Sequence, residues 1–366
     1  MNLPETQVET ERTVDTAQMM RAGVYRERGR VVVEQVPIPK IAPGEVLIRV
    51  GACGICGTDI KKIQHGFLKP PLILGHEVAG TVVDAGAGVT RWKPGDRVVS
   101  FHHIPCGHCF YCERRLFSQC SEYKKVGLTA GFEPSGGGFA EYVKAMPWIA
   151  ERGMLAIPPG VTLEEATFIE PLNTCIKAVE KARVAEGELV AVLGQGPIGV
   201  LLTMLAHYRG AEVVTSDPLP SRRAASLRFG AEASFEPDSA GLAAEVRRRS
   251  AERGADAVLV AAAIPALVEQ GLALARPGGR VLLFAHNDPV LRVELPAAAV
   301  GIEEKEILGS YSAAVDRQNE SARLVFERVL PVREMISHRM PLEDIAGALD
   351  LATHPRADSM KVMVIP

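Results

Sequence analysis

The sequence predicts an α/β protein in which a β-rich domain carries an inserted domain built on a doubly wound parallel sheet. Three observations lead to this prediction. Up to about residue 175, short β-branched runs lie between turn signals such as Pro43-Gly44. From there to about residue 310, apolar strand segments alternate with helical segments, which is the pattern of βαβ units. Beyond residue 310 the alternation fades, so we expect this tail to return to the first domain.

The individual elements follow from hydrophobic periodicity and turn signals. In the first part, β-branched runs predict strands at 46–50 and 78–83. The inserted part is predicted to contain strands at 188–193, 212–216, 257–261, 280–284 and 306–308, and helices at 197–208, 242–252 and 266–274. The tail is predicted to contain helices at 325–335 and 342–352 and a closing strand at 361–365.

The chain of 366 residues is long enough for two or three domains. Its first 19 residues are polar and acidic, and we predict that they form a disordered extension ahead of a fold that begins near Met20. The predicted β-rich domain is then 20–175, with 310–366 returning to it, and the inserted domain is 176–309.

Charge and hydropathy exclude some classes of function. The formal net charge is −3, whereas a general nucleic-acid binder is usually basic. No apolar run approaches the roughly 18 residues of a membrane helix, and the N-terminus lacks the basic start and apolar middle of a signal peptide. We therefore expect a cytoplasmic protein with no nucleic-acid or membrane partner.

Four of the seven cysteines fall in the segment CGHCFYCERRLFSQC, with the spacing C-x2-C-x2-C-x7-C. These cysteines are Cys106, Cys109, Cys112 and Cys120. Four thiolates this close can occupy the corners of one tetrahedron, which predicts a closed structural zinc site. An iron–sulfur cluster uses the same ligand type and is the main alternative. A closed site does not catalyse, so its predicted role is to stabilise this lobe or a subunit contact.

A second set of metal-ligating residue types is scattered along the chain. CGICGTD runs from Cys53 to Asp59, GHEVAG contains His76 and Glu77, and Glu170 lies in FIEPLNTC. Cysteine, histidine and carboxylate all bind zinc, and a catalytic zinc keeps one position open. Spacing alone leaves two alternatives: a surface or core His-Glu pair, and a redox pair of Cys53 with Cys56.

The segment GQGPIG predicts a nucleotide site, since it follows an apolar strand and opens a helix. Gly194 permits the tight turn, Gly196 allows the backbone to approach a pyrophosphate, and Gly199 allows close helix–strand packing. Pro197 and Ile198 complete the turn, where the helix N-terminus favours an anion.

The next predicted strand ends at Asp217, an acid that can accept hydrogen bonds from ribose hydroxyls and repels a 2′-phosphate. NAD is therefore favoured over NADP. Arg222 and Arg223 follow closely and could accept that phosphate, or they could simply be a solvated helix start.

Together these motifs resemble the zinc-containing medium-chain dehydrogenases of the alcohol dehydrogenase superfamily, from Met20 to Pro366. The markers occur in the order CGICGTD, GHEVAG, KPGDRV, the four-cysteine lobe, GGGFAEY, the EPL segment and the glycine turn. The resemblance implies a GroES-like catalytic domain and a Rossmann-type NAD-binding domain. It also implies a small alcohol or carbonyl substrate and a homodimer or homotetramer.

The resemblance also implies roles for single residues. Cys56 and His76 ligate the catalytic zinc, and Glu77 ligates it or lies just behind it. Glu170 occupies the place where many alcohol dehydrogenases have a cysteine, which is similar to the polyol and threonine dehydrogenases. Thr58 begins a proton relay, but Lys61 stands where a relay histidine often follows. Cys53 and Cys175 are then structural.

The expected activity is hydride transfer between NAD(H) and a secondary alcohol or ketone. The expected substrate is a polyol, a sugar or a 3-hydroxy amino acid, because Glu170 gives an oxygen-rich ligand set and SHRMPLE resembles the polyol branch. The alternatives are a carbonyl reductase of a biosynthetic pathway and a catalytically silent sensor that binds zinc and nucleotide. A zinc-free reductase of quinones or activated alkenes is disfavoured by the ligand residues.

Overall fold

A computed structural model describes residues 18–66, 68–125, 127–132, 136–237, 239–285 and 292–366. The predicted disordered extension lies outside these ranges except for its last two residues, and the first strand begins at Met19. Among the described residues, no helix is both long and apolar enough to cross a membrane.

The chain forms antiparallel strands in its first part, parallel strands in its middle part and two further strands near its end. In chain order they are β1 (Met19–Glu27), β2 (Arg30–Pro37), β3 (Val46–Gly54), β4 (Leu72–Ile73), β5 (Glu77–Ala85), β6 (Arg97–Ser100), β7 (Leu128–Thr129), β8 (Tyr142–Ala145), β9 (Met154–Ala156), β10 (Leu189–Leu193), β11 (Glu212–Ser216), β12 (Ala233–Phe235), β13 (Ala255–Val260), β14 (Ala275–Leu283), β15 (Glu306–Gly309), β16 (Ile336–Pro341) and β17 (Lys361–Ile365).

The helices are short in the β-rich part and longer in the parallel part. They are α1 (Gly57–His65), α2 (Phe110–Glu113), α3 (Pro147–Arg152), α4 (Leu163–Thr167), α5 (Ile169–Lys181), α6 (Pro197–Tyr208), α7 (Pro220–Arg228), α8 (Ala240–Arg249), α9 (Pro265–Leu274), α10 (Ala297–Gly301), α11 (Gln318–Phe326) and α12 (Ile345–Thr353).

One sheet is parallel throughout, with the strand order β12-β11-β10-β13-β14-β15. Strand β10 pairs with both β11 and β13, so the strand order reverses beside β10, where such sheets bind nucleotides. All five residues of β10 are buried, as expected for a strand covered on both faces. The α/β prediction is confirmed.

The β-rich part is built from a curled sheet in the order β16-β17-β3-β5-β6-β9, with β8 and β7 branching from β3, and from a smaller sheet β2-β1-β4. Strand β17 pairs antiparallel with β3, so the end of the chain returns to the first sheet. The helix α5 packs on both α6 and α11 and runs across the predicted domain boundary at residue 175, so it connects the two parts as one continuous helix.

One element prediction is wrong. The helix predicted at 325–335 is instead the end of α11, which stops at Phe326, and a separate 3₁₀ turn at Val332–Met335. Arg328 adopts a positive φ of 54°, and Pro331 cannot continue a helix because it lacks an N–H. The apolar spacing continues through this break because both segments bury their side chains.

Candidate metal and nucleotide sites

A cavity of about 530 Å³ lies between the β-rich part and the parallel sheet. It brings together most of the residues that the sequence selected. Its walls include Cys56, Thr58, His76, Glu77 and Glu170 from the metal motifs, and Gly196, Pro197, Ile198 and Gly199 from the glycine turn. The candidate metal ligands and the glycine turn therefore open into one space.

Cys56 and Asp59 form the start of helix α1. The Cys56 sulfur accepts a hydrogen bond from the Thr58 backbone N–H at 3.4 Å, and the Asp59 carboxylate accepts one from the Cys56 N–H at 3.2 Å. This reciprocal capping satisfies N–H groups that a helix start leaves unpaired. The cap fixes the Cys56 sulfur at the cavity wall.

His76 is oriented by the same Asp59. The Nδ1 atom of His76 lies 3.2 Å from Oδ1 of Asp59, and the Gly75 backbone N–H donates to the same oxygen at 3.3 Å. Burial lowers the pKa of His76, but the negative charges of Asp59 and Cys56 outweigh this effect and raise its pKa well above the usual range. A carboxylate on Nδ1 leaves Nε2 as the atom of His76 that could bind a metal ion.

Glu77 follows directly, at the start of β5, and its carboxylate forms an ion pair with the ammonium of Lys361 on β17. Both side chains are almost fully buried, with 1% and 3% of their surface exposed. Lys361 also donates to the Ile55 carbonyl at 3.0 Å. The pair joins the curled sheet's last strand to the metal motif.

Glu170 lies in the first turn of α5, where a negative charge is favoured by the helix dipole. Its Oε1 atom is 3.7 Å from Nδ1 of His102, and burial raises the pKa of Glu170 to about 7. The ring of His102 is 4.7 Å from that of His76, centroid to centroid. Glu170 therefore borders the metal residues without an ammonium partner among the described residues.

The ligand atoms of Cys56, His76 and Glu77 all lie within 4.8 Å of one another. Glu170 is not part of this close group, although it lines the same cavity. A thiolate, an imidazole and a carboxylate at this spacing fit a zinc ion with one open position. Glu77 is the candidate third ligand within the close group, and Glu170 on the wall of the same cavity is the second candidate.

The four cysteines of the lobe converge as well. Ligand atoms of Cys106, Cys109, Cys112 and Cys120 lie within 4.8 Å of one another. The backbone N–H groups of Cys106 and Gly107 point at the sulfurs of Cys120 and Cys112, each at 3.4 Å. Backbone donors stabilise thiolate over thiol, so this donor set fits a closed zinc site.

The glycine turn has the predicted backbone. Gly194 has a φ of 93°, which favours glycine, and a Cβ atom on Gly199 would collide with the carbonyl oxygen of Gly194. Helix α6 begins at Pro197 with Gly196 as its N-cap. A Cβ atom on Gly196 would meet only Arg222, at 3.8 Å, so the turn is open to a ligand on that side.

Asp217 makes hydrogen bonds within the fold that the sequence did not predict. It is 2% exposed, and its two carboxylate oxygens accept hydrogen bonds from the backbone N–H groups of Gln195 at 2.7 Å and Leu219 at 2.9 Å. A carboxylate has further acceptor positions, so Asp217 retains acceptors for the hydroxyls of a ribose. Its first role in the fold is to tie the glycine turn to the following turn.

Arg222 and Arg223 differ in their hydrogen-bond partners. Arg223 donates to the Asp217 and Pro218 carbonyls and pairs with Glu236. The Nε atom of Arg222 is buried and has no hydrogen-bond partner among the described residues. Arg222 lies beside Gly196 and is thus the arginine available to a bound nucleotide.

Sequence reasoning missed three residues that contact the candidate metal ligands: Asp59 contacts His76, His102 contacts Glu170, and Lys361 contacts Glu77. Asp59 lies inside the CGICGTD motif. Its role as the acid three residues after a helix N-cap could have been predicted from the sequence. His102 and Lys361 carry no local signal, since one lies in a loop and the other begins an ordinary apolar strand.

Comparison with known proteins gives two family matches. Residues 42–155 match the family described as alcohol dehydrogenase GroES-like domain, and residues 197–327 match the family described as zinc-binding dehydrogenase. The chain is 32% identical to L-threonine 3-dehydrogenase of Symbiobacterium thermophilum, over 96% of this chain and 99% of that one. It is 27% identical to sorbitol dehydrogenase of Bacillus subtilis, over 95% and 98%. A zinc-binding dehydrogenase from Sinorhizobium meliloti 1021, solved with NADP bound, superposes with a TM-score of 0.84 at 32% identity, over 95% and 100%.

Proposed function

Since the chain belongs to the zinc-type medium-chain dehydrogenases, in the branch of the polyol and threonine dehydrogenases, we propose that it transfers hydride between NAD(H) and a secondary alcohol or ketone. It is an oxidoreductase of the alcohol and polyol type. The proposed substrate carries a polar group next to the reacting hydroxyl, as in a polyol, a sugar or a 3-hydroxy amino acid. The observation that carries the proposal is the shared cavity of the Cys56–His76 pair and the glycine turn.

We assign Cys56, His76 and Glu170 as the ligands of a catalytic zinc and place Glu77 behind it. Glu77 is the nearer carboxylate, but its charge is already matched by Lys361. Taking Glu77 to the metal would leave a buried ammonium beside a cation, which costs several kcal/mol by the general penalty for unpaired buried charges. Glu170 is buried without such a partner among the described residues, so a metal ion would supply its missing positive charge.

Zinc, when bound, supplies Lewis acidity to the substrate oxygen, and the nicotinamide ring supplies the hydride acceptor or donor. The chain's own residues hold the substrate and move its proton. Thr58 lines the cavity next to Cys56, and we assign its hydroxyl as the first member of a proton relay, which accepts the substrate hydroxyl proton while it passes its own proton on to water. Asp59 keeps the His76 ring in one orientation, so that its Nε2 atom would be held ready for the metal. Phe168 and Leu68, which also line the cavity, keep water from the reacting atoms.

For the cofactor we propose NAD over NADP. The buried charge of Asp217 at the end of β11 disfavours a 2′-phosphate there. Arg223 is held by the Asp217 carbonyl and Glu236, so only Arg222 of this pair could compensate. The N-terminus of α6 and the open backbone at Gly196 would receive the pyrophosphate.

We propose a second zinc in the cysteine lobe, and a homodimer or homotetramer as the assembly. Strand β15 is the edge of the parallel sheet, and Val300 and Ile302 just before it are 48% and 82% exposed. An unpaired strand edge beside exposed apolar side chains favours pairing with a second copy about a twofold axis.

The test is a substrate screen with NAD that follows NADH absorbance over polyols, sugars, 3-hydroxy amino acids and simple alcohols. We expect a vicinal diol to have a higher kcat/KM than a primary alcohol of equal carbon number. A clear preference for the primary alcohol would contradict the substrate class and leave the dehydrogenase activity standing. No turnover with any alcohol or ketone, in protein containing zinc, would instead indicate a silent sensor.

A further inference from the structure

A short irregular segment, 310–314, forms one wall of the cavity that holds the candidate metal ligands and the glycine turn. Its residues Ser310, Tyr311 and Ser312 line that cavity. The segment starts where β15 ends, at Gly309, and parallel sheets bind ligands at the carboxyl ends of their strands. We call these five residues the wall segment, because their position determines the shape of the space open to a nucleotide.

The backbone of the wall segment has an unfavourable conformation at its centre. Ser312 has a φ of 59°, in the left-handed region that costs free energy for residues with a Cβ atom. Such a conformation persists only where the surrounding contacts fix it, and it occurs most often at functional sites. The contacts that hold Ser312 therefore decide whether the wall segment keeps this shape.

Helix α5 holds the wall segment from one side. The Asn173 side chain is fully buried and pairs with both backbone groups of Ala314. Its Nδ2 atom donates to the carbonyl at 3.0 Å, and its Oδ1 atom accepts from the N–H at 2.8 Å. One turn later, the Lys177 ammonium donates to the carbonyls of Tyr311 at 2.8 Å and Ser312 at 3.3 Å. Helix α5 therefore fixes the backbone of the wall segment before and after its last turn.

The cysteine lobe holds the wall segment from the other side, through Tyr123. The Tyr123 hydroxyl lies 3.0 Å from the Ser312 hydroxyl and donates to the Ala313 carbonyl at 3.3 Å. This donation leaves the Ser312 hydroxyl as the donor in the first contact, so the tyrosine oxygen is satisfied both as a donor and as an acceptor. The lobe therefore acts on the one residue of the wall segment whose backbone is in the left-handed region.

Tyr123 is also part of the core of the cysteine lobe. It is 2% exposed and packs in one cluster with the buried thiols of Cys106, Cys112 and Cys120. Its backbone N–H donates to the Cys120 carbonyl at 3.1 Å. A displacement of these cysteines would move the tyrosine ring, because closely packed interiors transmit displacements. One buried side chain thus links the four-cysteine site to the cavity wall.

From these contacts we infer that Tyr123 is a positioning residue for cofactor binding, which couples the folded cysteine lobe to the wall segment through Ser312 and Ala313. This inference rests on the proposed function, because it takes the ligand of the cavity to be the dinucleotide. The cysteine lobe then acts on the reaction as well as on the stability of its own segment. When the wall segment has its binding shape for only a fraction of the time, the apparent affinity for the cofactor falls in proportion. Saturating cofactor restores that shape, so a loss of the contact changes KM more than kcat.

The test is Tyr123→Phe, which removes the hydroxyl and keeps the ring in the core of the lobe. Titration of the zinc-containing enzyme with NADH, followed by nucleotide fluorescence, should give a dissociation constant about tenfold higher, the upper end of what one hydrogen bond contributes. The same factor is expected for NADPH, because the contact does not discriminate a 2′-phosphate. The KM for the cofactor should rise similarly, and kcat should fall less. Tyr111→Phe, at a 43% exposed position of the same lobe, is the matched control and should bind both cofactors as the wild type does.

A double-mutant cycle attributes the effect to the contact itself. Ser312→Ala removes the other hydroxyl of the pair. Because the contact can be lost only once, Tyr123→Phe/Ser312→Ala should bind NADH about as weakly as the weaker single variant. Losses that multiply in the double variant would show that the two side chains act independently and would overturn the coupling.

The remaining outcomes separate this inference from the proposed function. Wild-type affinity for both cofactors in Tyr123→Phe, or a loss confined to zinc content and thermal stability, overturns the positioning role and leaves the proposed dehydrogenase intact. Cofactor binding that depends on Tyr123, without turnover of any alcohol or ketone, supports the positioning role and contradicts the proposed reaction. A wild-type enzyme that binds neither dinucleotide contradicts both.

Discussion

Asp59 supports His76 from behind: Oδ1 of the carboxylate lies 3.2 Å from Nδ1 of the imidazole, and both residues are buried. The same carboxylate caps helix α1 at Cys56. One acid therefore sets the positions of both proposed zinc ligands. Its Oδ2 atom accepts the hydrogen bond of the helix cap, and its Oδ1 atom faces the histidine.

The first prediction is that Asp59→Asn lowers the affinity for the catalytic zinc by about 10–100-fold, the usual effect of losing a carboxylate behind a histidine ligand. Asparagine keeps one acceptor for the helix cap, so the fold should survive. Competition with a chromogenic chelator measures the affinity, and circular dichroism checks the fold. Asp84→Asn, at an exposed position of β5, is the control. Equal zinc affinity in both variants would contradict the role of Asp59.

The second prediction concerns the buried pair of Glu77 and Lys361. Lys361→Met removes the partner of a carboxylate that is 1% exposed, and we expect a loss of about 3–5 kcal/mol in the free energy of unfolding. The double variant Glu77→Gln/Lys361→Met should recover most of it, because no charge is then left unpaired. Urea unfolding measures each free energy.

Lys125→Met is the control for the second prediction, since its ion pair is exposed and exposed pairs contribute about 0–1 kcal/mol. A double variant as unstable as Lys361→Met alone would show that packing, rather than the unpaired charge, determines the loss.

The third prediction is two zinc ions per chain, one for each ligand group. Cys112→Ser should remove the lobe zinc and expose the segment around residues 106–120 to protease, and Glu170→Ala should remove the other zinc while the fold persists. Elemental analysis counts the metal. Cys175→Ala, which changes a fully buried thiol outside both groups, should keep two. Iron in the lobe, or a single zinc in active enzyme, would refute the assignment.

The fourth prediction is a higher kcat/KM with NAD than with NADP, together with a specific effect of Arg222. Because Arg222 lies beside Gly196 and has a buried Nε without a partner among the described residues, Arg222→Ala should lower the remaining activity with NADP about tenfold, as expected for one charge-assisted hydrogen bond. NAD-linked activity should fall less. Arg228→Ala, in the last turn of the same helix, is the control. Wild-type enzyme that prefers NADP would overturn the cofactor assignment.

Asp217 is a less direct target for the same question. Its carboxylate accepts hydrogen bonds from the backbone of Gln195 and Leu219, so Asp217→Ala would loosen the glycine turn as well as remove the charge. A smaller difference between kcat/KM with NAD and kcat/KM with NADP in that variant would combine both effects. Substitution of Arg222 changes only the charge next to the nucleotide, since its side chain does not hold the glycine turn in place.

Local patterns made much of this fold predictable. Helix α6 has the predicted bounds, 197–208, because its start is marked by Gly196-Pro197 and its apolar spacing is regular. Strand β17 also has its predicted bounds, 361–365. The predicted helix at 325–335 was wrong because periodicity does not register one positive φ at Arg328. Sequence motifs also selected the residues that meet at the cavity, since each motif supplies a ligand type next to a turn.

Pairs that are distant in sequence could not be predicted. Glu77 and Lys361 meet because β17, which follows the whole inserted sheet in the sequence, pairs with β3. Glu170 and His102 come from α5 and from the loop after β6. No local rule contains these contacts, because each depends on the packing of separately formed elements.

The last prediction tests the proton step through Thr58. Thr58 lies two residues after Cys56 on the first turn of α1 and lines the cavity, and its hydroxyl is the proposed first member of the relay that passes the substrate proton on to water. Thr58→Val has nearly the same shape without the hydroxyl, so kcat should fall by about 10²–10⁴-fold, the range for a positioned acid–base group, while zinc content stays at the wild-type level. Thr58→Ser restores the hydroxyl and should recover most of kcat, which a merely structural role of the threonine methyl would not permit. The measurements are kcat as a function of pH for the three proteins and zinc by elemental analysis. Unchanged kcat in Thr58→Val at every pH would show that the proton leaves by another path, and Lys61, half-buried on the next turn with a pKa lowered by burial, would be the next residue to substitute.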